Sequence, residues 1–257
     1  GLLRQVSSGE IVAQVVLGRS LRRVSKVVFM GMGEPAHNMD NVLEAIDVLG
    51  TFGGIGHKNL VFSTVGDVRV FERLPLGPVK PALALSLHST RNELREQLLP
   101  KAPRITPDEL VERGEVYARQ TGYPIQYQWT LLEGINDGLD EMDGIVRLLK
   151  GKYALMNLIP YNANDGLPFR RPSWDKAAEL ARYLFRDCRQ LDLRLLGGGF
   201  SGNVVAATKS VDADGREQVR YLTLARGWQS AGQSIVHFGL GESDTIDELT
   251  VIWPGGS

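Results

Sequence analysis

The feature that most restricts what this chain can become is a regular switch between two hydrophobic periods. Apolar runs of strand length alternate with segments whose apolar residues recur at helical spacing. Residues 24–30, 60–65, 82–87, 125–131 and 154–159 read as strands, with a sixth at 191–196. Between them, residues 40–49, 67–73, 106–120, 139–149 and 173–187 read as helices, and residues 7–17 form a helix before the first strand. Two starts are chemically explicit. Ser7 with Glu10 three residues on has the capping-box spacing, and Thr106-Pro107-Asp108-Glu109 places a cap, a first-turn proline and a third-position acid in order. Gly50 reads as the stop of the 40–49 helix. Strand then helix, repeated this often, requires parallel pairing, so the expected fold is α/β, a partial parallel (β/α) barrel.

The pattern breaks at Gly197-Gly198-Gly199. Beyond it come short β-like runs at 204–209, 219–224, 235–238 and 249–253 with no helical period between them, and Asp212-Ala213-Asp214-Gly215 reads as a hairpin turn. Two units are therefore expected: residues 1–197, the partial barrel, and 201–257, a small all-β module. Lys and Arg number 29 against 30 Asp and Glu, a net charge of -1 that supplies no overall field for a phosphate backbone. The sequence holds one cysteine, Cys188, which excludes a disulfide framework and any multi-thiolate metal site made by these residues alone. No stretch has the length and apolarity of a membrane span. The first residue is Gly1 rather than Met, so the natural chain is expected to begin upstream.

In a parallel barrel the ligand lies at the carboxyl ends of the strands, so the residues after each apolar run are the ones to collect. They are Gly31, Gly33 and Glu34 after the first; Ser63, Thr64 and Gly66 at the second; Ser86 and His88 at the third; Asn157 and Asn162 at the fifth. Glycines admit a ligand close to the backbone, and a carboxylate beside them accepts from an ammonium group. Hydroxyl, imidazole and amide groups suit a carboxylate, a ribose or a purine edge. The set fits a zwitterionic nucleoside better than a triphosphate. Taken singly, each residue has a plain structural reading: a tight turn at Gly31 and Gly33, a helix entry at Glu34, a hydrogen-bonded core histidine at His88, a strand-end cap at Asn157. His37, His57 and His237 lack ligand spacing and read as structural or surface residues, and Trp129, Trp174, Trp228 and Trp253 as core aromatics.

The stretches "VVFMGMGEPAHNMDNVLEAID", "LVFSTVGD", "LALSLHSTRNELREQLLP", "EGINDG" and "MNLIPYN" resemble, in order and spacing, the radical-SAM ribosomal RNA adenine methyltransferases of the RlmN/Cfr type. The resemblance covers about residues 1–191. It implies a radical-SAM-type barrel, cytoplasmic, that methylates ribosomal RNA or transfer RNA. It further implies that Gly33 and Glu34 contact the methionyl amino end of S-adenosylmethionine and that Ser63, Ser86, Leu87, His88 and Asn157 line the rest of its site. The family holds a [4Fe–4S] cluster on three cysteines in Cys-x-x-x-Cys-x-x-Cys and carries the methyl group on a further cysteine. This chain has neither, so no cluster is expected in it, and Cys188 reads as an ordinary helix residue. Residues 201–257, with "HFGLG" and "VIWPGG", resemble the ASPIC/UnbV module of exported proteins.

The functional expectation is thus part of a radical-SAM RNA methyltransferase that keeps most of the S-adenosylmethionine pocket without its catalysis. Two alternatives stay open: a non-catalytic interaction protein whose β module does the work, and a chimeric reading frame.

Overall fold

The structure is a computed structural model and describes residues 4–30, 33–162, 167–187, 192–195, 204–212, 217–224 and 246–252. Six strands, β1 (Val27–Phe29), β2 (Leu60–Thr64), β3 (Ala82–Ser86), β4 (Ile125–Leu131), β5 (Ala154–Pro160) and β6 (Asp192–Leu195), pair in sequence order. Every pairing is parallel. Between and around them lie α1 (Ser8–Leu21), α2 (Met39–Thr51), α3 (Val68–Arg73), α4 (Asn92–Leu98), α5 (Pro107–Thr121), α6 (Leu139–Leu149) and α7 (Trp174–Asp187). Strand order that follows the chain, with a helix at every crossover, is the path of an opened (β/α) barrel.

Local chemistry sets the helix ends. Ser7 Oγ accepts from Glu10 N and the Glu10 carboxylate accepts from Ser7 N, closing the capping box of α1. Thr106 Oγ1 accepts from Glu109 N at 3.1 Å, and α5 ends at Gly122 in the left-handed region, φ 74°. Gly50 does not stop α2, which runs on to Thr51. That glycine meets a packing need instead, because a Cβ there would lie 2.6 Å from Val79 Cγ1. Two other expectations also change. The first strand is only three residues long, and Trp174 is 38% exposed at the start of α7, its indole beside the Arg171 guanidinium rather than in the core.

The sheet has two unlike faces. Phe62, Leu83, Leu85, Tyr127, Trp129, Met156 and Leu158 pack with Ile46, Leu49, Leu110, Met142, Ile145 and Leu180 of the helices into one continuous core. Val61, Ala82 and Ala84 form a separate cluster on the other side. Since side chains alternate along a strand, this second face also carries Ser63, Ser86, Gln126, Gln128, Thr130, Leu155 and Asn157. The helix-facing side therefore supplies the stability, and the inner face is small and polar.

A second sheet is antiparallel, with β7 (Val204–Asp212) between β8 (Glu217–Leu224) and β9 (Ile246–Ile252). The pairing of β7 with β8 matches the hairpin expected around Asp212. The expected run at 235–238, Trp228, Trp253, His237 and Cys188 lie outside the described residues. Among the described residues no helix is long and apolar enough to cross a membrane.

Candidate functional site

The segments at the carboxyl ends of the parallel strands are held together by five side chains, Glu34, Arg95, His88, Asn136 and Glu141. Glu34 caps the short turn after β1: its Oε1 accepts from Ala36 N at 3.1 Å and its Oε2 from Val65 N, just past β2, at 2.9 Å. Arg95, on α4, is 2% exposed, and its Nη2 donates to the carbonyls of Val65 (2.5 Å) and Ser86 (3.2 Å) while Nη1 donates to that of Ile105 (3.3 Å). The Val65 peptide thus sits between a carboxylate on its N–H and a guanidinium on its C=O. Those bonds fix β1, β2 and β3 relative to one another.

His88, just after β3, has φ 59°, the left-handed region that a non-glycine residue enters only when its surroundings hold it. Three contacts do so. Its Nδ1 accepts from Thr130 N of β4 at 3.0 Å, its carbonyl accepts from Asn136 Nδ2 at 2.8 Å, and the next residues are gripped by Glu141. Asn136, fully buried, also donates from Nδ2 to the Thr130 carbonyl and accepts at Oδ1 from Leu132 N, both at 2.8 Å. Burial, and secondarily the positive charge of Arg95, push the His88 imidazole down to about 4. An Nδ1 that accepts leaves the proton on Nε2, so at neutral pH the ring is an uncharged donor.

Glu141, 1% exposed on α6, accepts from Ser89 Oγ (2.6 Å), Thr90 N (2.7 Å), Thr90 Oγ1 (2.6 Å) and Arg91 Nε (3.0 Å). The turn it holds lies directly on the helix. A Cβ on Gly144 would stand 2.1 Å from Thr90 Oγ1 and 2.6 Å from Thr90 Cβ. Helix propensity alone would favour Gly144→Ala by about 1 kcal/mol, but overpacking against a turn that cannot retreat costs about 2–3 kcal/mol. Gly144→Ala is therefore expected to lower stability by about 1–2 kcal/mol in urea titration; an unchanged or higher midpoint would show that the turn is loose.

The inner face supplies the rest. Ser86, Gln128 and Asn157 are lateral neighbours, one row across the inner face that runs from the end of β3 to the middle of β4 and β5. Asn157 is 4% exposed, and its Oδ1 is buried with no hydrogen-bond partner among the described residues. An unpartnered buried carbonyl costs about 1–3 kcal/mol, so it marks a place where a further group belongs. Ser63 lies one row lower on β2, level with Ala84.

Of the residues singled out in the sequence, Glu34 and His88 thus lie in the loops past β1 and β3, tied to the ends of the neighbouring strands, while Ser63, Ser86 and Asn157 lie on the inner face of β2, β3 and β5. Gly33 is exposed, with open space where a Cβ would be. Leu87 differs: its side chain is in the hydrophobic core, its N–H donates to Gln128 O and its C=O accepts from Ser89 N, so only the backbone is at the rim. Asn162 is exposed. His37 is exposed, and His57 Nδ1 accepts from Lys80 N, both structural or surface roles as expected. Sequence reasoning missed Arg95, Gln128, Asn136 and Glu141. Only Asn136 and Gln128 left a signal, the first inside "EGINDG" and the second in the alternation of "IQYQWTL".

A cleft of about 470 Å³ lies at the opposite, amino-terminal end of β1 and β2, lined by Arg19, Arg22, Arg23 and Asn59 among others. It is remote from the rim. Arg19 there donates to the Gly53 carbonyl at 2.6 Å, tying α1 to the loop after α2.

The chain is 76% identical over 186 residues to a protein of Leptothrix cholodnii named "Probable RNA methyltransferase", covering 72% of this chain and 54% of that one. It is 77% identical over 184 residues to one of the same name in Pseudomonas aeruginosa, covering 72% and 53%. The larger part of this chain is a homologue of these probable RNA methyltransferases. The chain spans about half the length of these curated relatives. A solved radical SAM methyltransferase from Sphaerobacter thermophilus superposes with TM-score 0.70 at 31% identity, over 77% of this chain and 60% of that one. A domain of pyruvate-formate lyase-activating enzyme from Bacteroides vulgatus, at 16% identity and TM-score 0.53, shares the fold. Residues 202–257 match the family described as ASPIC and UnbV.

Proposed function

We propose that the rim binds S-adenosylmethionine, as part of a radical-SAM methyltransferase acting on RNA, with ribosomal RNA as the substrate implied by the sequence motifs. The observation that carries this reading is the buried, unpartnered Oδ1 of Asn157 on a polar inner face, in one row with Ser86. The homology to probable RNA methyltransferases supports it. Gly33 and Glu34 receive the methionyl amino group; the Glu34 oxygens each accept one backbone N–H and keep lone pairs for an ammonium donor. Ser63, Ser86, the Leu87 backbone, His88 and Asn157 receive the remainder. A neutral His88 donates a hydrogen bond without repelling the sulfonium.

The residues present do not fit a [4Fe–4S] cluster. Three thiolates are required, the sequence holds one cysteine, and the described residues include no group of three or more His, Cys, Asp or Glu placed to hold a metal. We therefore read these residues as a cofactor-binding part that does not by itself cleave S-adenosylmethionine. We further assign residues 1–197 to that unit and 201–257 to a separate β module.

Calorimetry with S-adenosylmethionine tests the reading. The chain is expected to bind it, and Asn157→Leu, which removes the lone carbonyl at nearly constant volume, is expected to weaken binding about tenfold or more without loss of thermal stability. A folded chain giving no heat at millimolar ligand would end the reading. After anaerobic incubation with iron, sulfide and dithionite, formation of 5′-deoxyadenosine would refute the loss of catalysis.

A further inference from the structure

We propose that Gln128 is a further ligand-contacting residue of the rim, one that holds the nucleoside half of the bound molecule; this rests on the reading of the rim as an S-adenosylmethionine site. Gln128 stands on β4 between Ser86 and Asn157, each its lateral neighbour in register. Neighbouring strands lie about 4.8 Å apart, so the three side chains span about 10 Å of one face, the length of a nucleoside. The middle member of that row is the one the sequence motifs pass over.

Gln128 has little structural work. Among the described residues its one side-chain hydrogen bond runs from Nε2 to the carbonyl of Gln126 at 3.2 Å, two residues back on the same strand. It is half-buried on the face whose apolar contacts are the small cluster of Val61, Ala82 and Ala84, apart from the main core. Beside it the Asn157 Oδ1 has no donor among the described residues. A carboxamide offers an acceptor and two donors in one plane, the complement of ribose hydroxyls or of a purine amine and its adjacent ring nitrogen.

The placement also says which end of the ligand it meets. Glu34 lies past the end of β1, and β4 is three strands away, about 14 Å across the sheet. An extended S-adenosylmethionine whose ammonium group is at Glu34 reaches the Ser86–Gln128–Asn157 row with its nucleoside. Gln128 therefore reads the nucleoside and not the amino acid.

The test is calorimetry of the full chain and of Gln128→Leu with three probes: S-adenosylmethionine, 5′-methylthioadenosine and L-methionine. Gln128→Leu is expected to weaken the first two about tenfold, the loss of roughly one good hydrogen bond, and to leave methionine unchanged. An affinity for 5′-methylthioadenosine within twofold of the parent chain overturns the assignment, as does equal weakening of all three probes, which marks a structural role. Should Gln128→Leu not fold, Gln128→Glu, equal in shape, is read by the same criterion. A parent chain that binds none of the probes removes the S-adenosylmethionine reading and this assignment with it; binding by the parent with no difference in the variant removes this assignment alone.

Discussion

Glu141→Ala is expected to destabilise the parallel sheet unit by about 3–5 kcal/mol, the largest effect of any single polar substitution at the rim. Four donors converge on this one carboxylate, at 2.6–3.0 Å, and all belong to residues 89–91. Alanine leaves the Thr90 amide without an acceptor in a place water reaches poorly, and it leaves the two hydroxyls to find other partners. The Arg91 contribution is the smallest, because that side chain is 52% exposed and solvent screens the pair. Glu141→Gln keeps the volume and one acceptor but turns an NH₂ group toward donors, so an intermediate loss is expected. Asp140→Ala is the control: Asp140 is 65% exposed and 3.7 Å from the same Arg91, and its removal should stay within about 0.5 kcal/mol. A domain of this size has a total stability of about 5–15 kcal/mol, so the alanine variant should melt on the order of 10 °C lower. Hydrogen exchange at the Thr90 amide gives an independent readout. A loss below about 1 kcal/mol for Glu141→Ala would mean the turn is held by its contact with Gly144 and not by the carboxylate.

How much of this was readable beforehand divides along the two faces of the sheet. The helix-facing side follows from apolar period alone, and the bounds expected for β4 and α6, residues 125–131 and 139–149, are those observed. The ends set by side-chain caps, at Ser7 and Thr106, were equally legible because capping is a local contact between residues three apart. α4 was not foreseen. It has seven residues, and its buried member is Arg95, whose role is to satisfy the carbonyls of Val65, just past β2 and 30 residues away, and of Ser86, at the end of β3. No periodicity records a contact of that kind. Glu141 is similar: in the sequence it is one more acid in the first turn of a helix, and only the fold brings residues 89–91 onto it. Gly50 looked like a stop because glycine ends helices more often than it packs within them, and here Val79 decides the matter. A list of strand ends points to the loops after β1 and β3, but the polar row of the inner face needed the register, which such a list does not contain.

Acid should destabilise the protein through His88 in a window that the geometry defines. The folded-state imidazole is held at about 4, first by burial and then by the Arg95 charge, and it accepts a hydrogen bond from Thr130 N that protonation of Nδ1 would abolish. The ordinary histidine value is 6.5, so between pH 6.5 and 4 the unfolded chain binds a proton that the folded chain refuses. The unfolded state then holds more protons, and stability rises with pH across that interval. Above pH 6.5 both states are neutral and His88 contributes no pH dependence. On going down from pH 7 the loss attributable to this one group is about 2 kcal/mol at pH 5 and about 3 kcal/mol at pH 4, and it levels off below that. Carboxylates that titrate in the same range add their own slope, which is why the measurement is a difference. His88→Asn tolerates the left-handed backbone and keeps a side-chain acceptor for Thr130, but does not titrate. Urea unfolding of both proteins at pH 7.5, 6, 5 and 4.5 should show the two free energies parallel above pH 6.5 and separating below it, the parent falling faster. Curves that stay parallel down to pH 4.5 would mean that the folded chain accepts the proton as readily as the unfolded one, that the Thr130 bond is not maintained, and that the ring becomes a cation below pH 6.5, poorly suited there to lie beside a sulfonium.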